Sequence, residues 1–322
     1  WPPEGESNVH QRLRDRTVRD AELVRLNMAT VDKQRAVLIT GCSTGIGRAT
    51  AERLTRGGWS VYATARRPES IKDLADSGAR VLALDVTDEQ SMRDAVDTVT
   101  AETGAVSVLV NNAGYGLQGP IEETPMDEVR RQFETNVFGL VRLTQLALPG
   151  MRAQRFGRIV NISSMGGRMT LPGGGFYHGS KYAVEAVSDV LRFEVRPFGI
   201  AVSLVEPGGV ATPFGDTAVA TLTETQPSTG EATEYREFRT LLAAKITEAY
   251  DGSGSMAKLT SSPERIATVI EKAITARKPK ARYLVGTDAR MLVGLKRLLS
   301  DRGFDAVLRS QFKVPASVAA RS

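Results

Sequence analysis

Tyr177 and Lys181 stand four residues apart in YHGSK, just after the glycine run 173–175. On an α-helix residues i and i+4 share a face, so a phenol and an ammonium converge on one small volume. A phenol beside a fixed cation makes a proton donor or acceptor that works near neutral pH. An ordinary phenol titrates near ~10, so use near pH 7 asks for about three units, or ~4 kcal/mol favouring the phenolate. One cation at ~4 Å supplies roughly that much at an effective dielectric of about 20. With seven tyrosines in the chain, the pair carries little weight alone.

A second chemical feature lies far upstream. The apolar run VLIT leads into TGCSTGIG, Thr40 to Gly47. Gly41 permits a tight turn, Gly45 lets a diphosphate approach the backbone, and Gly47 lets the following helix pack closely. The N-terminus of that helix then offers free N–H groups and positive dipole to the phosphates. The next strand ends in YATARR, where an acid would favour NAD(H) through the ribose hydroxyls. Arg66 and Arg67 stand there instead, with no acid before Glu69. A guanidinium binds a 2′-phosphate with paired hydrogen bonds, so NADP(H) is preferred over NAD(H).

These features need a scaffold that brings them to one edge. Compact apolar runs occupy 35–40, 59–65, 80–86, 106–114, 157–164, 199–209 and 281–286, with helical patterns between them. The runs are continuous rather than alternating, the mark of a sheet covered on both faces. Strand and helix in repeated succession predict an α/β fold, one doubly wound, mostly parallel seven-stranded Rossmann sheet with helices on both sides. Ligands then sit beyond the carboxyl ends of the strands, where every motif above falls. The 213–262 connection is long, so it reads as a substrate loop or lid. Residues 1–33 read as an N-terminal extension, 34–290 as the catalytic domain and 291–322 as an amphipathic helical tail.

Composition narrows the function classes. The chain has 322 residues, 41% hydrophobic and 25% charged, with net charge +5. It shows no basic block with interleaved aromatics, so nucleic acid is not expected. A single cysteine, Cys42, excludes an internal disulfide and fits a reducing, cytoplasmic setting. With only His10 and His178 beside it, no structural zinc site is expected. The segment 1–27 lacks the apolar stretch of a secretory signal, and no run reaches the ~20 residues of a bilayer span.

TGCSTGIG, NNAG at 111–114, Asn136, Ser164, YHGSK and Pro207–Gly208 occur in that order. The ordered set resembles the short-chain dehydrogenase/reductase family over about residues 34–290, with a looser likeness to its steroid- and retinol-oxidising branch. Ser164 precedes Tyr177 by the interval the family uses, which selects it over Ser163. The resemblance implies Tyr177 as general acid/base, Lys181 tuning it and holding the nicotinamide ribose, and Ser164 orienting the substrate oxygen. Asn136 would complete the set by holding a water behind the lysine. It also implies cofactor contacts from Gly41, Ser43, Thr44, Gly45, Ile46, Gly47, Asp85, Val86, Asn112, Ala113, Gly114, Pro207, Gly208 and Thr212. A homodimer or homotetramer built on the helices of 125–151 and 175–197 is implied as well.

The substrate side is read from apolar residues near these motifs: Tyr115, Leu117, Met165, Met169, Leu171, Phe176 and Phe214. They favour a small apolar ketone, aldehyde or alcohol, with Arg168 as a candidate reader of an acidic head group. Glu122 and Glu123 read as a solvated loop, Cys42 as a small loop filler and His178 as non-catalytic. For the tail, core packing is expected over membrane contact. The alternatives are an NADP(H)-binding regulator without turnover and a ketoacyl-type reductase. Intact Asn136, Ser164, Tyr177 and Lys181 argue against the regulator.

Overall fold

The apolar runs become strands, most of them buried on both faces, while the two edge runs over 80–83 and 282–285 are only partly covered. In a computed structural model, residues 32–224, 234–250 and 260–312 are described. Most of the 1–33 segment, parts of the 213–262 connection (225–233 and 251–259) and tail residues 313–322 lie outside them. Seven strands form one sheet: β1 (Ala36–Ile39), β2 (Ser60–Ala65), β3 (Arg80–Ala83), β4 (Val108–Asn111), β5 (Gly157–Ile162), β6 (Ile200–Pro207) and β7 (Arg282–Val285). Their order is β3-β2-β1-β4-β5-β6-β7, and every neighbouring pair is parallel. The order reverses between β1 and β4, the switch point at which such sheets bind ligands.

Side chains along β1 alternate between two cores. Val37 and Ile39 pack with Ile266, Ile270 and Leu54 on one face, while Leu38 packs with Met92, Val99, Leu143 and Met151 on the other. The first face carries α1 (Gly45–Arg56), the short α2 (Asp73–Asp76) lies between β2 and β3, and the second face carries α3 (Glu89–Thr103). A long helical segment follows as α4 (Met126–Phe133), a π-helical turn over Glu134–Phe138 and α5 (Gly139–Ala153). α6 (Gly175–Val195) crosses the same face. The 213–262 connection contains two helices, α7 (Phe214–Glu224) and α8 (Arg236–Tyr250). After it come α9 (Pro263–Thr275) on the α1 face, then α10 (Thr287–Leu298) and α11 (Asp301–Gln311) after β7.

Buried polar pairs fix how helices sit on the sheet. Asn111 Nδ2 at the end of β4 donates to Thr144 Oγ1 of α5 at 3.1 Å and to Asn161 Oδ1 of β5 at 2.9 Å. Asn161 Nδ2 in turn donates to Ser188 Oγ of α6 at 2.9 Å. Each group is satisfied inside the protein, so the ladder specifies one register of α5 and α6 against β4 and β5. Among the described residues no helix is long and apolar enough to cross a membrane.

Where α5 begins, the helix touches the sheet edge. A Cβ at Gly139 would lie 2.3 Å from the Val86 carbonyl oxygen. Gly139→Ala should therefore force the two backbones apart and cost about 1–3 kcal/mol, the range for overpacked cores. Urea unfolding should show a lower midpoint with an unchanged slope.

Candidate active site

The four strand ends β1, β4, β5 and β6 meet at one edge, and each brings one part of the site. After β1 the chain turns through Gly41 (φ 70°) and Gly45 (φ 59°), the left-handed region that glycine enters without strain. Gly47 has a different reason to be glycine: a Cβ there would lie 2.2 Å from Gly41 O and 2.5 Å from Asn112 Nδ2. Asn112, just past β4, donates through Nδ2 to Thr40 O at 2.9 Å and Gly41 O at 3.0 Å. Its backbone N–H and that of Ala113 both donate to Thr40 Oγ1 at 2.9 Å. The glycine-rich turn and the NNAG turn are thus sewn to each other. Thr44 opens α1 with no side-chain cap, which leaves the first N–H groups of the helix to an incoming ligand.

At the far end of β2, Arg66 and Arg67 are exposed. Among the described residues neither guanidinium has a partner. Asp85, beyond β3, accepts from Thr87 N–H at 2.9 Å and Thr87 O–H at 2.7 Å, closing a small turn beside Val86. Thr212 lies across from Gly45, its Cγ2 3.0 Å from where a Cβ on that glycine would stand. These glycine-lined approaches and free donors fit a dinucleotide, with phosphates at α1 and the adenosine end toward Arg66 and Arg67.

Tyr177 and Lys181 lie on α6, and Ser164 and Asn136 reach them from neighbouring segments. Ser164, just after β5, is within hydrogen-bonding reach of the Tyr177 phenol and accepts Gly166 N–H at 3.0 Å. Lys181 is buried, and its Nζ donates to Ile162 O at 2.9 Å. It stands 5.8 Å from the centroid of the Tyr177 ring. Asn136 sits in the π-helical turn, where Nδ2 donates to Tyr115 O at 3.0 Å and Ser180 Oγ at 3.1 Å. Its Oδ1 accepts Tyr115 N–H at 3.1 Å. A Cβ on Gly114 would meet Asn136 Oδ1 at 2.9 Å and Lys181 Nζ at 3.7 Å, so all three border one small space. The extra residue of a π-turn re-aims a side chain without breaking the helix, which explains an Asn in mid-helix.

Burial governs the charge balance of the pair. It pushes Tyr177 upward, and the Ser164 hydrogen bond pulls the other way. Burial likewise pushes the Lys181 ammonium down to about 8, with Glu185 one helical turn away working against that shift. Glu185 is itself raised by burial and by nearby Glu206, while Ser163 and Arg282 pull it down. At neutral pH the arrangement is a protonated phenol beside an ammonium, the state that can give a proton to a substrate oxygen.

Several expectations change. Arg168 is paired with the buried Glu206, Nη1 to Oε1 at 3.1 Å, a carboxylate that Arg282 also holds. Leu117 and Met169 are fully buried, and Met169 packs under Val293 and Phe304 of α10 and α11 rather than lining a pocket. Glu123 is not solvated: Arg239 of α8 grips it through Nε and Nη2 at 2.9 and 2.7 Å. Glu122 accepts from Tyr235 O–H at 2.8 Å. Phe214, at the start of α7, does face Tyr177, with ring centroids 5.5 Å apart. Cys42 is buried and its thiol pushed up to about 12, as befits an inert filler.

The sequence region matched by the short chain dehydrogenase family model is residues 35–222. The chain belongs to the short-chain dehydrogenase family. It is 39% identical over 257 residues to a 3-ketodihydrosphingosine reductase of Bacteroides thetaiotaomicron, covering 80% of this chain and 89% of that protein. It is 34% identical over 288 residues to an NADPH-dependent 3-dehydrocapnine reductase of Ornithobacterium rhinotracheale, covering 87% of this chain and 98% of that one. A crystal structure of a short-chain dehydrogenase from Streptomyces avermitilis superposes with a TM-score of 0.68 at 32% identity, covering 90% of this chain and all of that one. The chain is accordingly an NAD(P)-dependent oxidoreductase of this family.

His178 is the residue whose part the motif reading missed. It is buried; Nε2 accepts Leu171 N–H and Nδ1 lies against Gly166 O, both at 3.1 Å. With Nε2 accepting, the ring proton belongs on Nδ1 and is donated to Gly166 O. One neutral imidazole thus holds the Ser164 turn and the 171–174 segment to α6. A histidine beside two glycine-rich stretches was the available signal. Burial pushes His178 down to about 4 from 6.5. Between those values the unfolded chain takes up the proton and the folded one does not, so its contribution is complete above about pH 6.5 and is lost as pH falls toward 4. Urea unfolding at pH 7 and pH 4.5 should show a loss of about 2 kcal/mol from this group, absent in His178→Asn.

Proposed function

We propose that the chain is an NADP(H)-dependent reductase of apolar ketones or aldehydes, with Tyr177 as proton donor. The observation that carries this reading is the single cluster of Ser164, Tyr177, Lys181 and Asn136 beside a glycine-lined cradle that ends at Arg66 and Arg67. The reduced nicotinamide, when bound, supplies the hydride to the carbonyl carbon. Ser164 orients the carbonyl oxygen, and Tyr177 gives that oxygen its proton. Lys181 stabilises the phenolate left behind and holds the ribose hydroxyls. Asn136, fixed by Tyr115 and Ser180, supports a proton path behind the lysine. The names of two relatives, one of them NADPH-dependent, make 3-ketodihydrosphingosine the first ketone to try. Residues 34–290 would form the catalytic unit. Exposed Tyr182, Val190 and Phe193 on α6 and Phe138 beside α5 support self-association through that face.

The test is NADPH and NADH titration by cofactor fluorescence, followed by turnover of a ketone and aldehyde panel. Tyr177→Phe should bind NADPH as the wild type does and lose about 10²–10⁴-fold in kcat. Arg66→Ala combined with Arg67→Ala should raise the KM for NADPH about tenfold or more and leave that for NADH little changed. Equal effects on both cofactors would remove the arginines from the 2′-phosphate. Binding without turnover across the panel would favour the regulator.

Lys181 adds a pH dependence. Its charge is lost as pH rises through about 8. The kcat/KM for NADPH, which reports on groups of the free enzyme, should decline above that pH. A profile flat to pH 10 would show that the ammonium is not needed for binding or transfer.

A further inference from the structure

The turn that follows β6 is held from outside the motif. From Pro207 the chain runs to Thr212, which abuts Gly45. Within β6, Val205 O accepts Ser163 N–H at 2.8 Å, so the same strand end adjoins the Ser164 turn. Residues 207–212 thus lie between the glycine-rich turn and the Ser164–Tyr177 pair. A dinucleotide with its phosphates at α1 must lay its reacting end along this interval.

Asp288, the second residue of α10, is only 3% exposed, and its Oδ2 accepts Gly209 N–H at 2.6 Å. The backbone closes tightly around this carboxyl group. A Cβ on Gly208 would come 2.2 Å from Oδ2, and one on Gly286 (φ 114°) would come 2.3 Å from Oδ1. Gly208 N–H donates to Val285 O and Ser261 N–H to Gly209 O, both at 2.9 Å. Two adjacent glycines have the greatest freedom to move, so a turn built on them needs outside ties. Asp288 Oδ2 supplies the side-chain tie. Its Oδ1 and Ser261 Oγ are buried with no hydrogen-bond partner among the described residues.

We propose that Asp288 is a positioning residue for hydride transfer, fixing the Gly208–Gly209 turn against which the nicotinamide end of the cofactor lies. The proposal rests on the NADP(H) reading above. Asp288 touches no reacting atom and acts through the Gly209 N–H. A displacement of ~1 Å at the reacting end is enough to cost up to ~10²-fold in rate.

The experiment compares Asp288→Ala, Asp288→Ser and Asp288→Asn with the wild type, measuring kcat and the affinities for NADPH and for 2′-phospho-ADP-ribose, which lacks nicotinamide. In Asp288→Ala, kcat should fall about 10–100-fold and NADPH should bind about fivefold more weakly. The affinity for 2′-phospho-ADP-ribose should stay within about twofold, because contacts at α1 and Arg66 are untouched. Serine is too short to reach Gly209 N–H and should behave as alanine does; it serves in its place if the alanine variant fails to fold. Asparagine keeps an acceptor and should recover most of the rate. Unchanged kcat in the alanine or serine variant, or equal loss of both ligands, would overturn the proposal, as would an asparagine variant as damaged as alanine. Failure of the wild type to bind NADPH would instead sink the cofactor reading itself.

Discussion

An amine buried where water is scarce must be given a partner or lose its proton. Lys181 meets that constraint by donating to the Ile162 carbonyl at 2.9 Å, and much of the site follows from this one bond. It ties α6 to the end of β5, the strand that continues into Ser164. It also places the ammonium in the space bordered by Asn136 and Gly114. The same dry surroundings disfavour charge on both partners, raising Tyr177 and lowering Lys181. A protonated phenol beside a lysine poised to lose its proton near pH 8 is suited to giving a proton away. Accepting one asks for further positive charge nearby, which an oxidised nicotinamide would add.

The sheet explains why the remaining parts arrive at that place. With every neighbouring strand pair parallel, all carboxyl ends point to one edge, and the crossover helices return the chain to the other. Residues from the ends of β1, β2, β4, β5 and β6 are therefore delivered together without any being close in sequence. The cost is crowding. The glycine-rich turn, the NNAG turn and the first turn of α1 approach so closely that Gly47 has no room for a side chain.

Outside this edge the described helices beyond β6 are tied to the rest of the fold by specific contacts. α8 is clamped to the loop before α4 by the Arg239–Glu123 pair, both side chains largely buried. α10 and α11 press Val293 and Phe304 onto Met169, behind the turn that carries Ser164. His178 ties that turn to α6 from within. The tail helices thus bear on the position of a hydroxyl they do not touch.

Local spacing carries whatever neighbouring residues can specify between them. Continuous apolar runs between helical patterns dictate a covered parallel sheet, because only that arrangement hides both faces of each strand. Tyr177 and Lys181 share a face by helical period, and the glycines of 41–47 serve a strand–turn–helix that is complete within eight residues. Tertiary structure decided the rest, since pairs distant in sequence leave no local signal. Glu123 with Arg239 and Gly209 with Asp288 are such pairs. Only distance and burial could show that Arg168 pairs with Glu206, that Asn136 is aimed by a π-turn, and that burial pushes the phenol upward. Those quantities depend on how much water each group has left, which is a property of the folded chain.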